Sequence, residues 1–520
     1  MQIRKVPIFL MLTVLALPLA TRASAAVSAE QKCESGKLKT AASYASCLQA
    51  AYGKAVKAGS TDKLATGLER CEERFDKKWD KLEVKAVDAG TACVTTDDAT
   101  AIKAGAEAHA ACVASTLASP DSAACLRGPT SSPMEEAWNG LVDAIVEAGE
   151  WTKNHPFYDT ELDRAEGMRR LLRTLIVALE DGMDDKGFPY FARRVDLLKR
   201  GALDNPDNTY YFARISDDQD YRITGTRGTT ADLVFQSLAG YPGIGTSGPS
   251  DGIDILDAAD MDIAGDGSFE ILVSRDDPGT GNWLRIEEGA ETILVRYTHD
   301  DWSAEEAGTV HITQVGNEGA MTALPTEARV AEMINRAAQW MVDTTKFWPT
   351  LVLEKFKPLP VNFPLGPLQT ANGLDTQWNY ATHFALDPSE ALVVTMPTTA
   401  ARYQAIQIGS NWMESFEYAH RQTSLSAGQS DLGSDGVYRY VISQSDPGVP
   451  NWLDTEGHDN GILFIRFQGI GTPPAGVTAT VVPLADVLNE FPGDVPILDA
   501  AGRAAQIAAR QEHIQQRYNQ

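Results

Sequence analysis

The chain lacks the short motifs by which common catalysts announce themselves. There is no Gly-x-Ser-x-Gly elbow, since Gly245-Thr246-Ser247-Gly248 has the wrong spacing. There is no His-Glu-x-x-His, no phosphate-cradling Walker loop and no Cys-x-x-Cys. Serine hydrolase, zinc protease and nucleotide chemistries therefore have no support in the sequence. Alternating βαβ units are also missing, which disfavours a Rossmann or barrel enzyme. Beyond residue 26 no apolar run approaches the roughly 20 residues a membrane helix needs.

Basic residues are scarce as well: 45 Lys and Arg stand against 71 Asp and Glu, for a net charge of −26. The imbalance is uneven. Residues 27–130 hold 14 of each sign, whereas residues 131–520 hold 28 basic and 57 acidic residues. A surface that acidic repels nucleic acid and anionic lipid, so neither is expected as a partner.

What is present begins with a secretory leader over 1–26: Arg4 and Lys5, an apolar stretch from Val6 to Ala20, and small residues around Ala23-Ser24-Ala25-Ala26. The expected location is the periplasm or the exterior. All six cysteines, Cys33, Cys47, Cys71, Cys93, Cys112 and Cys125, fall in a Cys-rich helical module over 27–128. An even number in an exported segment points to disulfides. A turn at Ala58-Gly59-Ser60-Thr61-Asp62 sets Cys47 opposite Cys71 and Cys33 near Cys93, leaving Cys112 for Cys125; other connectivities stay open. So few large apolar residues need such staples.

The most informative feature is a phrase that occurs twice: Asp277-Pro278-Gly279-Thr280-Gly281-Asn282-Trp283-Leu284 and Asp446-Pro447-Gly448-Val449-Pro450-Asn451-Trp452-Leu453. Each copy sits between apolar runs, the second run ending in Ile293-Leu294-Val295-Arg296-Tyr297 or Leu463-Phe464-Ile465-Arg466-Phe467. The repeated unit is strand, Pro-Gly turn, Trp, strand. Matching upstream strands at Tyr211–Ser216 and His383–Asp387 extend the duplication. The expected fold class is α+β: two duplicated antiparallel β-sandwich or jelly-roll-like domains, over 201–325 and 361–500. Helical additions are expected over 134–200, 326–360 and 501–520.

The Asp-Pro-Gly turn has a sufficient structural explanation in proline's fixed φ, glycine's positive φ and an aspartate bonding the backbone two residues on. Arg296 and Arg466, at equivalent strand ends, are expected to close ion pairs with Asp277 and Asp446. The copies diverge after the tryptophan. Asp454 and His458 exist only in the second, so Asp454, His458 and Arg466 are the candidate acid–base set. Trp412, Trp452 and Asn451 are the candidate ligand contacts. The acidic run Asp254, Asp257, Asp260, Asp262, Asp266 and Glu270 misses the EF-hand register; calcium at Asp260, Asp262, Asp266 and Glu270 is the one cofactor it allows.

The segment Asp435-Gly436, Val441-Ile442-Ser443, Asp446 to Thr455, Gly457-His458, Gly461 and Arg466 resembles a bacterial family of exported or envelope proteins catalogued as a domain of unknown function. The resemblance spans roughly 135–500 and implies two jelly-roll-like β domains with helical additions, with no activity attached. The leading expectation is a binding protein for a carbohydrate or apolar small molecule. The rivals are a secreted hydrolase or lyase and a structural homo-oligomer.

Overall fold

In the computed structural model, residues 28–518 are described except 59–60, 94, 96–97, 119–131, 242, 245–251 and 370–373. The expected leader, Cys125 and the side chain of Cys112 lie outside the described residues, and with them the Cys112–Cys125 pairing. The chain divides into two compact units, Met1–Pro129 and Thr130–Gln520.

The first unit is three helices: α1 (Ala29–Ala58), α2 (Thr61–Asp88) and α3 (Ala99–Ala118). Disulfides join Cys47 to Cys71 and Cys33 to Cys93. Between them Tyr44, Leu48, Phe75 and Trp79 form a small core. Lys37 is buried over the Trp79 ring and paired with Glu83 and Asp98, at 2.8 and 2.9 Å. With so little apolar material, covalent closure of long loops carries much of the stability.

The second unit opens with α4 (Pro133–Asn154) and α5 (Glu161–Met183). Ser132 caps α4 ahead of Pro133, and Thr160 with Asp163 forms a capping box on α5. Eight strands follow: β1 (Asn208–Arg214), β2 (Tyr221–Thr226), β3 (Asp232–Ala239), β4 (Gly252–Asp257), β5 (Ser268–Ser274), β6 (Asn282–Arg285), β7 (Ala290–Thr298) and β8 (Val310–Gln314). Helix α6 (Glu327–Leu351) runs into a π turn, Val352–Phe356. After the short β9 (Leu365–Leu368) the pattern recurs as β10 (Trp378–Ala385), β11 (Glu390–Pro397), β12 (Tyr403–Gly409), β13 (Ser424–Ser426), β14 (Val437–Ser443), β15 (Trp452–Asp454), β16 (Asn460–Gln468) and β17 (Thr478–Pro483). Helix α7 (Ala500–Tyr518) closes the described chain.

The duplication is complete at the level of topology. Sheets β1-β7-β3-β4 and β6-β5-β2-β8 make the first sandwich; β10-β16-β12-β13, with β9 added beside β10, and β15-β14-β11-β17 make the second. The fold is therefore α+β, two related sandwiches with helical additions behind a disulfide-stapled helical module.

One pairing departs from the antiparallel expectation. β6 runs parallel to β5 and β15 parallel to β14, with Trp283 opposite Leu272 and Trp452 opposite Val441. Parallel neighbours normally require a crossover of about a dozen residues; here seven, 275–281, suffice in the first copy. The repeated phrase supplies the device. Asp277 and Asp446 accept the amides of Gly279 and Gly448, at 2.7 and 2.8 Å, which reverses the chain. The indoles of Trp283 and Trp452 then donate back to Ser274 and Ser443.

Period-two alternation sorts the central strands. Ile293, Val295 and Tyr297 of β7 enter the first sandwich core, as Leu463, Ile465 and Phe467 of β16 enter the second. The intervening residues, Leu294 and Arg296 or Phe464 and Arg466, face outward. There α5 and α6 cover them: Val177, Trp340 and Met341 pack on Leu294 and Phe212, and Trp348 joins Phe356 and Ile462. Tyr403 of the second sandwich hydrogen-bonds Asp207 and Asn205, at 2.6 and 3.1 Å, so the sandwiches touch directly.

Candidate functional site

Where the two outward faces meet the helices they enclose a cavity of about 530 Å³, within the range of small-molecule sites. Helix α5 contributes Arg170, Arg173 and Val177, and α6 contributes Trp340, Thr344 and Trp348. β1 and β7 bring Tyr210, Phe212 and Arg296; β16 brings Phe464 and Arg466. The wall is thus aromatic with basic groups set into it.

The duplicated arginines sit here in matching surroundings. Arg296 donates to Gln236 Oε1 at 2.9 Å, and Arg466 donates to Gln407 and, at 3.0 Å, to the Leu203 carbonyl. The two glutamines occupy equivalent places, opposite Leu294 on β7 and Phe464 on β16, two residues along from the arginines. Each sandwich therefore presents one Arg–Gln pair to the shared space. Burial holds the Arg296 guanidinium below its usual range, and the charge of Arg466 adds to that effect.

Of the remaining cavity cations Lys355 is exposed, and the others divide by partner. Arg173 is paired with Glu414, Arg194 with Asp181 and Asp184, Lys199 with Glu180 and Asp196, and Arg200 with Glu417. Arg170 instead donates to the Thr344 and Thr345 carbonyls, at 2.6 and 3.1 Å, and burial pushes it down to about 10.

A segment of strained backbone completes the wall. Ala202 and Leu203, and facing them Met413, have φ of 58°, 50° and 62°, the left-handed region that non-glycine residues seldom occupy. Leu203 N donates to Met413 O at 2.8 Å, while Gln407 Nε2 holds the Asp204 carbonyl at 3.0 Å. Such strain persists only where surrounding contacts over-determine it, and it concentrates at ligand sites.

The sequence-derived set is dispersed by the fold. Asp454 binds Arg421 and accepts the Glu456 amide at 2.9 Å, organising the turn before β16. His458 stacks on Phe416, with Nε2 3.3 Å from Glu166 and Nδ1 3.7 Å from Asp163, both on α5. It lines a second cavity of about 880 Å³ with Lys357, His383 and Asn460. Burial lowers the His458 pKa, but the carboxylates of Glu166, Asp163 and Glu456 outweigh it and the pKa is raised. Arg466 belongs to the first cavity, so the three do not converge.

The ligand contacts are likewise corrected. Trp412 is fully buried against Gly167, where a Cβ would come within 2.7 Å of the indole, and its N–H donates to Asp163 O. Trp452 is buried beneath Arg503. Asn451 is 3% exposed and spends its side chain on the backbone of Asp431 and Arg439, as Asn282 does on Asp262 and Glu270. All three hold the fold together.

The expected Arg296–Asp277 and Arg466–Asp446 pairs do not form. The aspartates lie beyond β5 and β14, the arginines on the outer face of the opposite sheet; Asp446 pairs with Arg503 instead, at 2.8 Å. The acidic run is spread in the same way: Asp254 accepts the Arg285 amide, Asp257 pairs with Arg402, Asp266 caps Ser268 and Glu270 pairs with Arg222. Among the described residues no three His, Cys, Asp or Glu side chains are placed to hold a metal ion, and no helix is long and apolar enough to cross a membrane.

No family model and no curated protein matches the chain. Among solved structures it is similar to the VPA0106 protein of Vibrio parahaemolyticus at 11% identity and a TM-score of 0.36, over 68% of this chain and all of that one. It is also similar to an uncharacterised protein from Burkholderia cenocepacia at 30% identity and a TM-score of 0.62, over 67% of this chain and 97% of that one. At that identity and coverage the chain belongs to the same family as the Burkholderia protein.

Proposed function

We propose that this is an exported protein that binds a small organic molecule in the cavity between its two sandwiches. The observation that carries the reading is the cavity itself, built from equivalent strands of both sandwiches and lidded by α5 and α6. Its size suits a compact ligand, and the strained backbone at Ala202 and Leu203 fits a wall kept in place for binding. Export is supported by the leader-like first 26 residues and by the two disulfides.

The test is thermal unfolding of the full chain against glycans, fatty acids and aromatic acids at rising concentration. A ligand at about 100 times its Kd stabilises by about 2.7 kcal/mol. The expected result is a concentration-dependent rise in Tm with one of these classes. A flat response throughout counts against the reading.

A second reading, a secreted acid–base enzyme, draws on one observation: the buried His458 imidazole beside Glu166 at the edge of the second cavity. On this reading His458→Gln abolishes turnover of a substrate that the unaltered chain converts. Unchanged turnover in that variant removes the reading.

A further inference from the structure

We propose that the ligand of the inter-sandwich cavity is an organic anion, its acid group held between Arg296 and Arg466 and its apolar body laid against the aromatic wall. This rests on the reading of that cavity as a ligand site and specifies the ligand's class.

The first ground is uncompensated charge. Arg170, Arg296 and Arg466 have no carboxylate within 4 Å among the described residues, while Arg173, Arg194, Lys199 and Arg200 in the same wall do, and Lys355 is exposed to water. Their hydrogen-bond acceptors are neutral, carbonyls or glutamine amides. An isolated charge taken out of water is costly, and an anionic guest recovers part of that cost. The guanidinium fork favours carboxylate, sulfonate or phosphate oxygens over a neutral hydroxyl.

The second ground is the excess of donors. Trp340, in the cavity wall and 6% exposed, has a buried indole N–H with no acceptor. A buried donor left unmade is costly, so a guest rich in acceptors is selected over one that brings donors of its own. The third ground is symmetry. Arg296 and Arg466 come from equivalent strands of the two halves, each steadied by an equivalent glutamine, and a single acid group is thereby offered one fork from each half. Tyr210, Phe212, Trp348 and Phe464 then meet the remainder of the molecule with ring faces and edges, which suits an apolar or aromatic body and leaves a polyhydroxylated one underbonded.

The experiment compares two fluorescent probes of one shape on the full chain: anilinonaphthalene sulfonate, an anion, and its uncharged parent, N-phenylnaphthylamine. The sulfonate is expected to bind at least about tenfold more tightly. Arg296→Gln and Arg466→Gln are each expected to weaken it about tenfold, equivalent to about 1.4 kcal/mol, and to weaken the neutral probe, which has no acid group, by less than about threefold. Retained binding of the neutral probe also reports that the variants are folded.

If the neutral probe binds the unaltered chain as tightly as the sulfonate, the anion class is overturned while the binding reading survives. If the sulfonate binds but neither arginine variant weakens it, it sits elsewhere and the proposal is again overturned. Failure of both probes, together with a flat thermal screen, removes the binding reading itself. The comparison of the two probes on the unaltered chain decides the matter even where a variant does not fold.

Discussion

The two sandwiches share strand order, pairing direction and the repeated turn phrase, yet only the second copy of that phrase is covered. Trp283 is half-buried, and Asp277 accepts the Gly279 amide. Trp452 is 9% exposed because α7 lies across it: Arg503 stacks on the indole, pairs with Asp446 and reaches the Val449 carbonyl. The lesson is that divergence between duplicated copies marks where a copy meets a neighbour as readily as where it does chemistry. Asp454 and His458, unique to the second copy, turn a loop and dock α5.

The comparison breaks most visibly at the repeated asparagine. Asn451→Ala strips three hydrogen bonds from a buried site and is expected to cost about 3 kcal/mol in urea unfolding; Asn282→Ala, in a more open site, is expected to cost about 1 kcal/mol. Equal losses would mean that covering the second copy does not strengthen its clip. Next in size is Arg503→Ala, which uncovers Trp452 and frees Asp446, with an expected loss of about 2 kcal/mol by the same measurement. A loss near zero would make α7 an ornament on the second sandwich.

A smaller effect is expected from His458, and it depends on pH. Its folded-state pKa is raised, so its contribution is whole below the unfolded value of about 6.5 and is lost as pH rises through the folded value. The chain should therefore lose stability relative to His458→Gln as pH rises from the unfolded value through the folded one, on the order of 1 kcal/mol for a charge-assisted contact. Parallel Tm-against-pH curves for the two proteins would contradict this. The smallest effect separates the two glutamines. Gln407 steadies both Arg466 and the strained loop, so Gln407→Ala should weaken sulfonate binding more than Gln236→Ala, which is expected to lose about threefold, worth about 0.6 kcal/mol.

Much of the fold was legible because its signals are local. Alternation in Ile293 to Tyr297 and Leu463 to Phe467, and the twice-used turn phrase, identified two related β units and their equivalent strands. Helices α5, α6 and α7 announced themselves by three- and four-residue spacing. The parallel return after each Asp-Pro-Gly was not legible, since it depends on an indole reaching back to a serine carbonyl across the turn. The site was legible only in parts. Parity alone puts Arg296 on the face opposite Val295, but whether that face meets water, a carboxylate or a cavity is decided by α5, α6 and the other sandwich. His458 stood out by its asymmetry, while its partner Glu166 lies on a helix from a distant stretch of chain and left no mark near it.

Helix α7 also has a temporal meaning. Arg517 reaches the Pro206 carbonyl, Arg510 and Arg517 both lie over the Trp302 ring, and Arg510 holds Tyr418 and Ser424, so one helix clasps both halves of the protein. It is synthesised after everything it clasps. Until it emerges, the halves are kept in register by their direct contacts and by α5 and α6. The joint between the halves is thus locked last, by a bolt that slides home once both doors already stand.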